Sequence, residues 1–211
     1  MLSNAWQAII YLLEGLKKGA MVSTAEKIVD EARHLIMTRG YNGFSYADIA
    51  AAVGIRKASI HHHFAGKSDL AKAVVEQSRA VIHAQVEKLA NIEPEAGEQL
   101  RAYATYWERC IADNSAPFCV AGMLAAELPS LPGDLATSVK AHFADLTGWL
   151  EQVLALGARQ GSVTLVRSPA EEADAFMSAI YGAMLSARAF GEPDRFVTIT
   201  ETLLSRIVRL H

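Results

Sequence analysis

Cysteine is nearly missing from this chain. Only Cys110 and Cys119 occur in 211 residues, too few to staple a secreted fold, so reduced thiols in the cytoplasm are expected. Six prolines and 14 glycines are sparse punctuation for that length, and no run of alternating β-branched residues occurs, so an all-α chain is predicted. No secretory leader is recognisable. Residues 1–20 hold Trp6, Ile9, Ile10, Leu13 and Leu16, but Lys17 and Lys18 follow the apolar part and no cleavage-like site comes after it. That stretch is also too short to cross a bilayer, and no membrane partner is expected. Its spacing fits an amphipathic N-terminal extension over 1–22, with Met21 as an alternative start. Nothing pairs a nucleophile with a base at a recognisable spacing, so no catalytic residue is nominated; a small all-α enzyme is kept as the alternative function.

Apolar surface is what the chain has in quantity. With 51% hydrophobic residues it can bury a core, in one or two domains. The formal net charge of −3 is unevenly spread: +1 over residues 1–22, +2 over 23–80 and −6 over 81–211. A mildly basic early part with an acidic remainder suits a nucleic-acid reader whose body is kept away from the polyanion.

Residues 45–67 carry the most informative pattern, two short amphipathic helices around a glycine turn. Ser45, with Asp48 three positions on, makes a capping box for the first helix. Ile49, Ala50 and Val53 form its inner face. Gly54 supplies the positive φ of a sharp exit, and Ile55 plugs the angle between the helices. In the second helix Ile60 and Phe64 are four apart and face inward, which leaves Arg56, Lys57, Ser59, His61 and His62 outside. Those groups are nearly all donors. A helix-turn-helix places such a second helix in the major groove, where Arg and Lys suit guanine acceptors and His and Ser suit phosphate or base.

This stretch resembles the DNA-binding head of the TetR family of bacterial transcriptional regulators. The resemblance covers about Ser23 to Val75 and lies in Asp48-Ile49-Ala50, Gly54-Ile55, His62-His63-Phe64, and Lys67 with Leu70. At His61 the chain departs from the family, which usually has a tyrosine there. The DNA-binding set expected from pattern and resemblance together is Ser45, Tyr46, Arg56, Lys57, Ser59, His61, His62 and Lys67. For Lys67, a cation at a helix start calls for a nearby anion, and a DNA phosphate would be one; a solvated lysine is the other reading.

Ser23-Thr24-Ala25-Glu26 is a second capping box and opens a helix with Ile28, Ala32, Leu35 and Ile36 inward, ending at Gly40. Helices over about 24–39, 46–53 and 57–64, with Tyr41 and Phe44 closing their core, make a head domain over 23–66. The remainder, 67–211, is expected to form a ligand-binding and dimerisation bundle. It begins with a long helix from Lys67 to about Asn91. Pro94 fits the first turn of a helix to about Asn114, a shorter one follows around 118–128, and another runs from Asp134 to Arg159. Ser168-Pro169-Ala170-Glu171 starts the next. From Ala173 to Phe190 only Asp174, Ser178, Ser186 and Arg188 are clearly polar, so this helix needs cover on two sides. In the last helix Phe196, Ile199, Leu203, Ile207 and Leu210 form one stripe, with Val197, Leu204 and Val208 beside it. Small residues at Ala179, Gly182, Ala183 and Ser186 allow close approach, so helices over about 169–190 and 194–210 are expected to pair two copies around a twofold axis. The resemblance implies the same homodimer. A monomer core built from this pair is the alternative.

Consecutive side chains on a helix point about 100° apart, so His61, His62 and His63 cannot converge on one ion, and no metal or cofactor is expected. Aromatic, cysteine and methionine side chains in the body read mostly as core. The broken segment from Pro117 to Pro132 nevertheless gives a helical bundle a place to open, and the resemblance implies a small-molecule pocket. Trp107, Cys110, Phe118, Cys119, Met123, Phe143 and Tyr181 are its expected lining. Cys119 is a sensor thiol if exposed and ionised, but no Lys or Arg lies close in sequence to promote that, which favours an inert buried cysteine. The combined expectation is a homodimeric, cytoplasmic repressor that leaves a near-palindromic operator when a small molecule fills the body. An effector-independent DNA-binding protein is a second alternative.

Overall fold

The computed structural model describes residues 23–209; the expected N-terminal extension over 1–22 lies outside them. Helix follows helix: α1 (Thr24–Arg39), α2 (Tyr46–Val53), α3 (Lys57–His63), α4 (Lys67–Ile92), α5 (Ala96–Ala112), α6 (Val120–Ala126), a 3₁₀ turn (Leu128–Ser130), α7 (Gly133–Gln160), α8 (Pro169–Phe190) and α9 (Asp194–Ile207). The all-α expectation holds. The only bridge among the described residues joins Val163 to Val208, supported by Thr164 N donating to Ile207 O at 2.8 Å and Arg209 N to Ser162 O at 2.9 Å.

Capping chemistry sets most boundaries. The Ser23 amide donates to Glu26 Oε2 at 2.7 Å and the Glu26 amide to Ser23 Oγ at 3.2 Å, closing the box at the start of α1. At α8 the Ser168 amide and hydroxyl both donate to Glu171 Oε2, at 3.1 and 2.7 Å. These bonds hold the carboxyls of Glu26 and Glu171 below their ordinary range. Two boundaries differ from expectation: α9 stops at Ile207, where Val208 turns extended to bridge Val163, short of the expected 210, and α5 starts later than expected. Pro94 lies outside α5, because the N-cap is Glu95, whose carboxylate accepts from the amides of Gly97 and Glu98 at 2.8 and 3.0 Å.

By compactness the described chain falls into two units: residues 23–84 with Cys119–Phe143, and Gln85–Phe118 with residues 144–209. The first contains the helix-turn-helix candidate, α6 and the start of α7; the second contains α5, α8 and α9. In the first unit Ile28, Ile36, Ile49, Ile60 and Leu70 are fully buried, each worth about 1.5–3 kcal/mol against exposure. In the second, Leu100, Leu150, Phe176, Ile180 and Phe196 do the same. No helix among the described residues is long and apolar enough to cross a membrane.

Candidate DNA-reading interface

The reading pair is built around Ile49 and Ile60, both 0% exposed, one from each helix. At the start of α2 the amide and hydroxyl of Ser45 donate to Asp48 Oδ2 at 2.7 and 2.6 Å, which holds the Asp48 carboxyl below the usual carboxylate range. Ser45 itself stays exposed. Gly54 ends α2 in the left-handed region at φ +75°, and its amide and that of Ile55 both reach Ala50 O at 3.0 Å. The chain then turns directly into α3.

With Ile60 buried, α3 presents Arg56, Lys57, His61 and His62 to solvent and leaves Ser59 half-buried. Five of the eight expected DNA contacts therefore come together on one short helix and its N-cap. His61 is partly engaged: its Nδ1 lies 3.2 Å from Ala65 O and its ring stands edge-on to Tyr46 at 4.8 Å. The pair of His62 and His63 rings stacks edge-on at 5.5 Å.

Two further residues of the expected set, Tyr46 and Lys67, bond to partners within the protein. Tyr46 is 6% exposed and its hydroxyl donates to Phe64 O at 3.3 Å, so it ties α2 to the end of α3. Burial, helped by Asp69 and Tyr41, pushes its phenol up to about 12. Lys67 is half-buried: Nζ donates to Phe44 O at 2.5 Å and lies over the rings of Tyr41 and Phe44, 4.7 and 4.4 Å from their centroids. Desolvation pulls its ammonium below the ordinary lysine range, against the attraction of Glu127 and Asp48. Within the protein its hydrogen-bond acceptor is the neutral Phe44 carbonyl, and two aromatic faces complete its surroundings.

The expected effector lining is divided between the two units. Trp107 is buried, Cys110 and Tyr181 are half-buried, and Phe118 is buried with the Arg188 guanidinium 5.6 Å from its ring; all four belong to the unit of α5, α8 and α9. Burial pushes the Cys110 thiol up. Cys119, Met123 and Phe143 belong to the other unit, where Cys119 is 3% exposed with Sγ 3.7 Å from His142 Nε2. That imidazole, itself buried, was not nominated from sequence: it stands 23 positions from the cysteine, at no spacing that marks a pair.

Another residue missed from sequence is Glu127. Its Oε1 accepts from the Tyr41 amide at 2.7 Å, and its Oε2 from the Asn42 amide at 3.2 Å and Asn42 Nδ2 at 2.9 Å. The partners are about 86 residues apart, so only the fold reveals them.

A capped α2, a left-handed glycine exit and a donor-bearing α3 seated on Ile60 define a helix-turn-helix transcriptional regulator that binds DNA. Comparison with known proteins gives the family. Residues 28–74 match the model "Bacterial regulatory proteins, tetR family", and residues 96–203 match "Tetracyclin repressor-like, C-terminal domain". The chain belongs to the TetR family. It is 48% identical to a TetR-family regulator from Agrobacterium tumefaciens, with a TM-score of 0.86 over 88% of this chain and 97% of that one. A TetR regulator from Legionella pneumophila is 28% identical, with a TM-score of 0.81 over 90% of this chain and 99% of that one. Among curated relatives, the HTH-type transcriptional repressor DhaR of Mycobacterium sp. (strain GP1) is 23% identical, covering 88% of this chain and 94% of that one.

Proposed function

We propose that this protein is a homodimeric repressor that binds a near-palindromic operator through Arg56, Lys57, Ser59, His61 and His62 and leaves it when a small molecule occupies the body. Exposed Ser45 flanks that surface and can add a phosphate contact. The observation that carries the reading is α3 itself, whose fully buried Ile60 holds a run of donors outward. Regulators of this family bind DNA and small-molecule effectors, and one of this kind works in the cytoplasm, in contact with the chromosome.

The dimer forms through α8 and α9. Along α8 the exposed positions Ala175, Ser178, Gly182, Leu185 and Ala189 recur every three or four residues, a single stripe of small and apolar side chains. Leu185 is 59% exposed. Ile199, Leu203 and Ile207 line a half-buried row on α9. Two recognition helices then sit about 34–36 Å apart, or another multiple of the helical turn, to enter successive major grooves. A ligand that prefers the form with another spacing lowers operator affinity by its differential affinity for the two forms.

An effector held by Trp107, Cys110, Phe118 and Tyr181 has support in the same unit. The indole Nε1 atoms of Trp107 and Trp149 are buried with no hydrogen-bond partner among the described residues, and an unpaired buried donor costs about 1–3 kcal/mol. A ligand bearing an acceptor removes that cost. Cys119, Met123 and Phe143 are a second candidate set, which the same effector reading keeps.

The test is binding of the purified protein to a duplex that it selects from a randomised pool. Lys57→Ala should cost about 1–3 kcal/mol of discrimination at particular base pairs while leaving affinity for unrelated duplex nearly unchanged. Loss of equal size on every sequence would remove Lys57 from base reading. Failure of the wild-type protein to bind any duplex at low salt would overturn the proposal as a whole.

A further inference from the structure

We propose that Glu127 is a positioning residue for DNA recognition: from the end of α6 its carboxylate fixes the turn between α1 and α2, and so the pose in which the reading pair is offered to an operator. Three N–H donors of that turn converge on it, the amides of Tyr41 and Asn42 and the Asn42 side chain, at 2.7, 3.2 and 2.9 Å. Two successive amides aimed at one carboxylate form an anion cradle, and charge-assisted bonds of this kind are about twice as strong as neutral ones. Asn42 Nδ2 also reaches Ser130 Oγ at 3.4 Å, on the 3₁₀ turn that follows Glu127.

The turn is shaped for this carboxylate. Gly40 has φ +76° and ψ 175°, a conformation essentially reserved for glycine, and the missing Cβ leaves the space that Glu127 Oε1 occupies. On its other side the turn is held by Lys67, whose ammonium lies 4.7 Å from the centre of the Tyr41 ring and bonds Phe44 O. The backbone of 41–44 is therefore pinned from α6 through Glu127 and from α4 through Lys67. The far end of α6 is anchored too: its N-cap Cys119 places Sγ 3.7 Å from His142 Nε2 on α7. A seven-residue helix tied at one end to α7 and at the other to the head is a strut, and Glu127 is its grip. The residue acts through the orientation of α2 and α3.

The proposal rests on operator binding by this protein. Wild-type binding to the selected duplex tests that reading, and the ratio of variant to wild type tests the grip. Glu127→Ala should weaken binding to the selected duplex by about tenfold, measured by fluorescence anisotropy, while affinity for unrelated duplex and the salt slope stay unchanged, because no phosphate contact is lost. Glu127→Gln keeps one acceptor oxygen and should recover part of the loss. Asn42→Ala should cost less than Glu127→Ala and add little in the double variant, since both break the same contact. Stoichiometric titration distinguishes a displaced head from an unfolded fraction: every protomer should still bind, with a raised Kd. Should Glu127→Ala lower the active fraction, Glu127→Gln and Asn42→Ala decide alone. Binding by Glu127→Gln and Asn42→Ala within about twofold of wild type, or an equal loss on unrelated duplex, would overturn the assignment.

Discussion

Tyr46 and Lys67 look from sequence like residues for DNA; in the fold Tyr46 is buried and Lys67 is half-buried, with its ammonium bonded to the Phe44 carbonyl. For Tyr46 the signal was available: with Ile49 and Val53 it repeats every three or four positions, the spacing of one helix face. For Lys67 there was none, because the carbonyl it bonds belongs to Phe44, 23 positions earlier. Loss of the Tyr46 hydroxyl in Tyr46→Phe should cost about 1 kcal/mol near neutral pH. The pH dependence has a definite sign. The phenol is raised from 10.0 to about 12 in the folded protein, so its contribution is complete below the unfolded value and is lost as pH climbs from there toward the folded value. Urea melts across that window should show falling stability, less steep in Tyr46→Phe; Tyr41, raised in the same direction, supplies the remainder. Lys67→Ala should leave the Phe44 carbonyl without its donor and cost about 1–3 kcal/mol, with the salt slope of DNA binding unaltered. A slope smaller by about one would instead assign the ammonium to a phosphate.

Elements were far more legible than side-chain destinations. The helix starts at Ser23, Ser45 and Ser168 follow from capping boxes, and the ends at Gly40, Gly54 and Gly191 from the positive φ that glycine accepts. Such signals are local, written within three or four residues. The grip of Glu127 and the pairing of Cys119 with His142 are not local, and neither has a motif. Gly40 and Gly54 separate the two kinds of information. A Cβ at Gly54 meets nothing within 4 Å among the described residues, so Gly54→Ala should cost only its left-handed backbone strain, about 1–2 kcal/mol. Gly40→Ala carries a larger strain, because ψ 175° with φ +76° is a conformation essentially reserved for glycine, and in addition pushes against the Glu127 carboxylate. It should destabilise by more, and only it should weaken operator binding per folded molecule. Thermal melts compared with active-fraction titration would show both; equal effects would mean that the carboxylate is not held as tightly as its three bonds imply.

At the scale of the whole molecule, a reading head is useful only if a second one is held beside it, since tethering turns the second contact into an intramolecular event. The sequence expectation was that Ala179, Gly182, Ala183 and Ser186 all let another copy approach. In the fold Ala183 is 0% exposed, spent on the protomer's own core, Ala179 and Ser186 are half-buried, and only Gly182 lies in the exposed stripe with Ala175, Ser178, Leu185 and Ala189. Which of four small residues faces outward depends on how α8 is rotated against α9, and composition carries no information about that rotation. The difference makes Gly182 the sharpest probe. A Cβ there meets nothing within 4 Å among the described residues, so Gly182→Arg costs the single chain little more than ordinary helix propensity predicts, and arginine is a better helix former than glycine. In a twofold interface the same substitution occurs twice across the axis and buries two like charges. Sedimentation should therefore show Gly182→Arg as a monomer with an unchanged helical spectrum, and operator affinity should fall to that of one head on a half-site. If the variant still sediments as a dimer, α8 is not at the seam, and the spacing of the reading helices must be set by another surface.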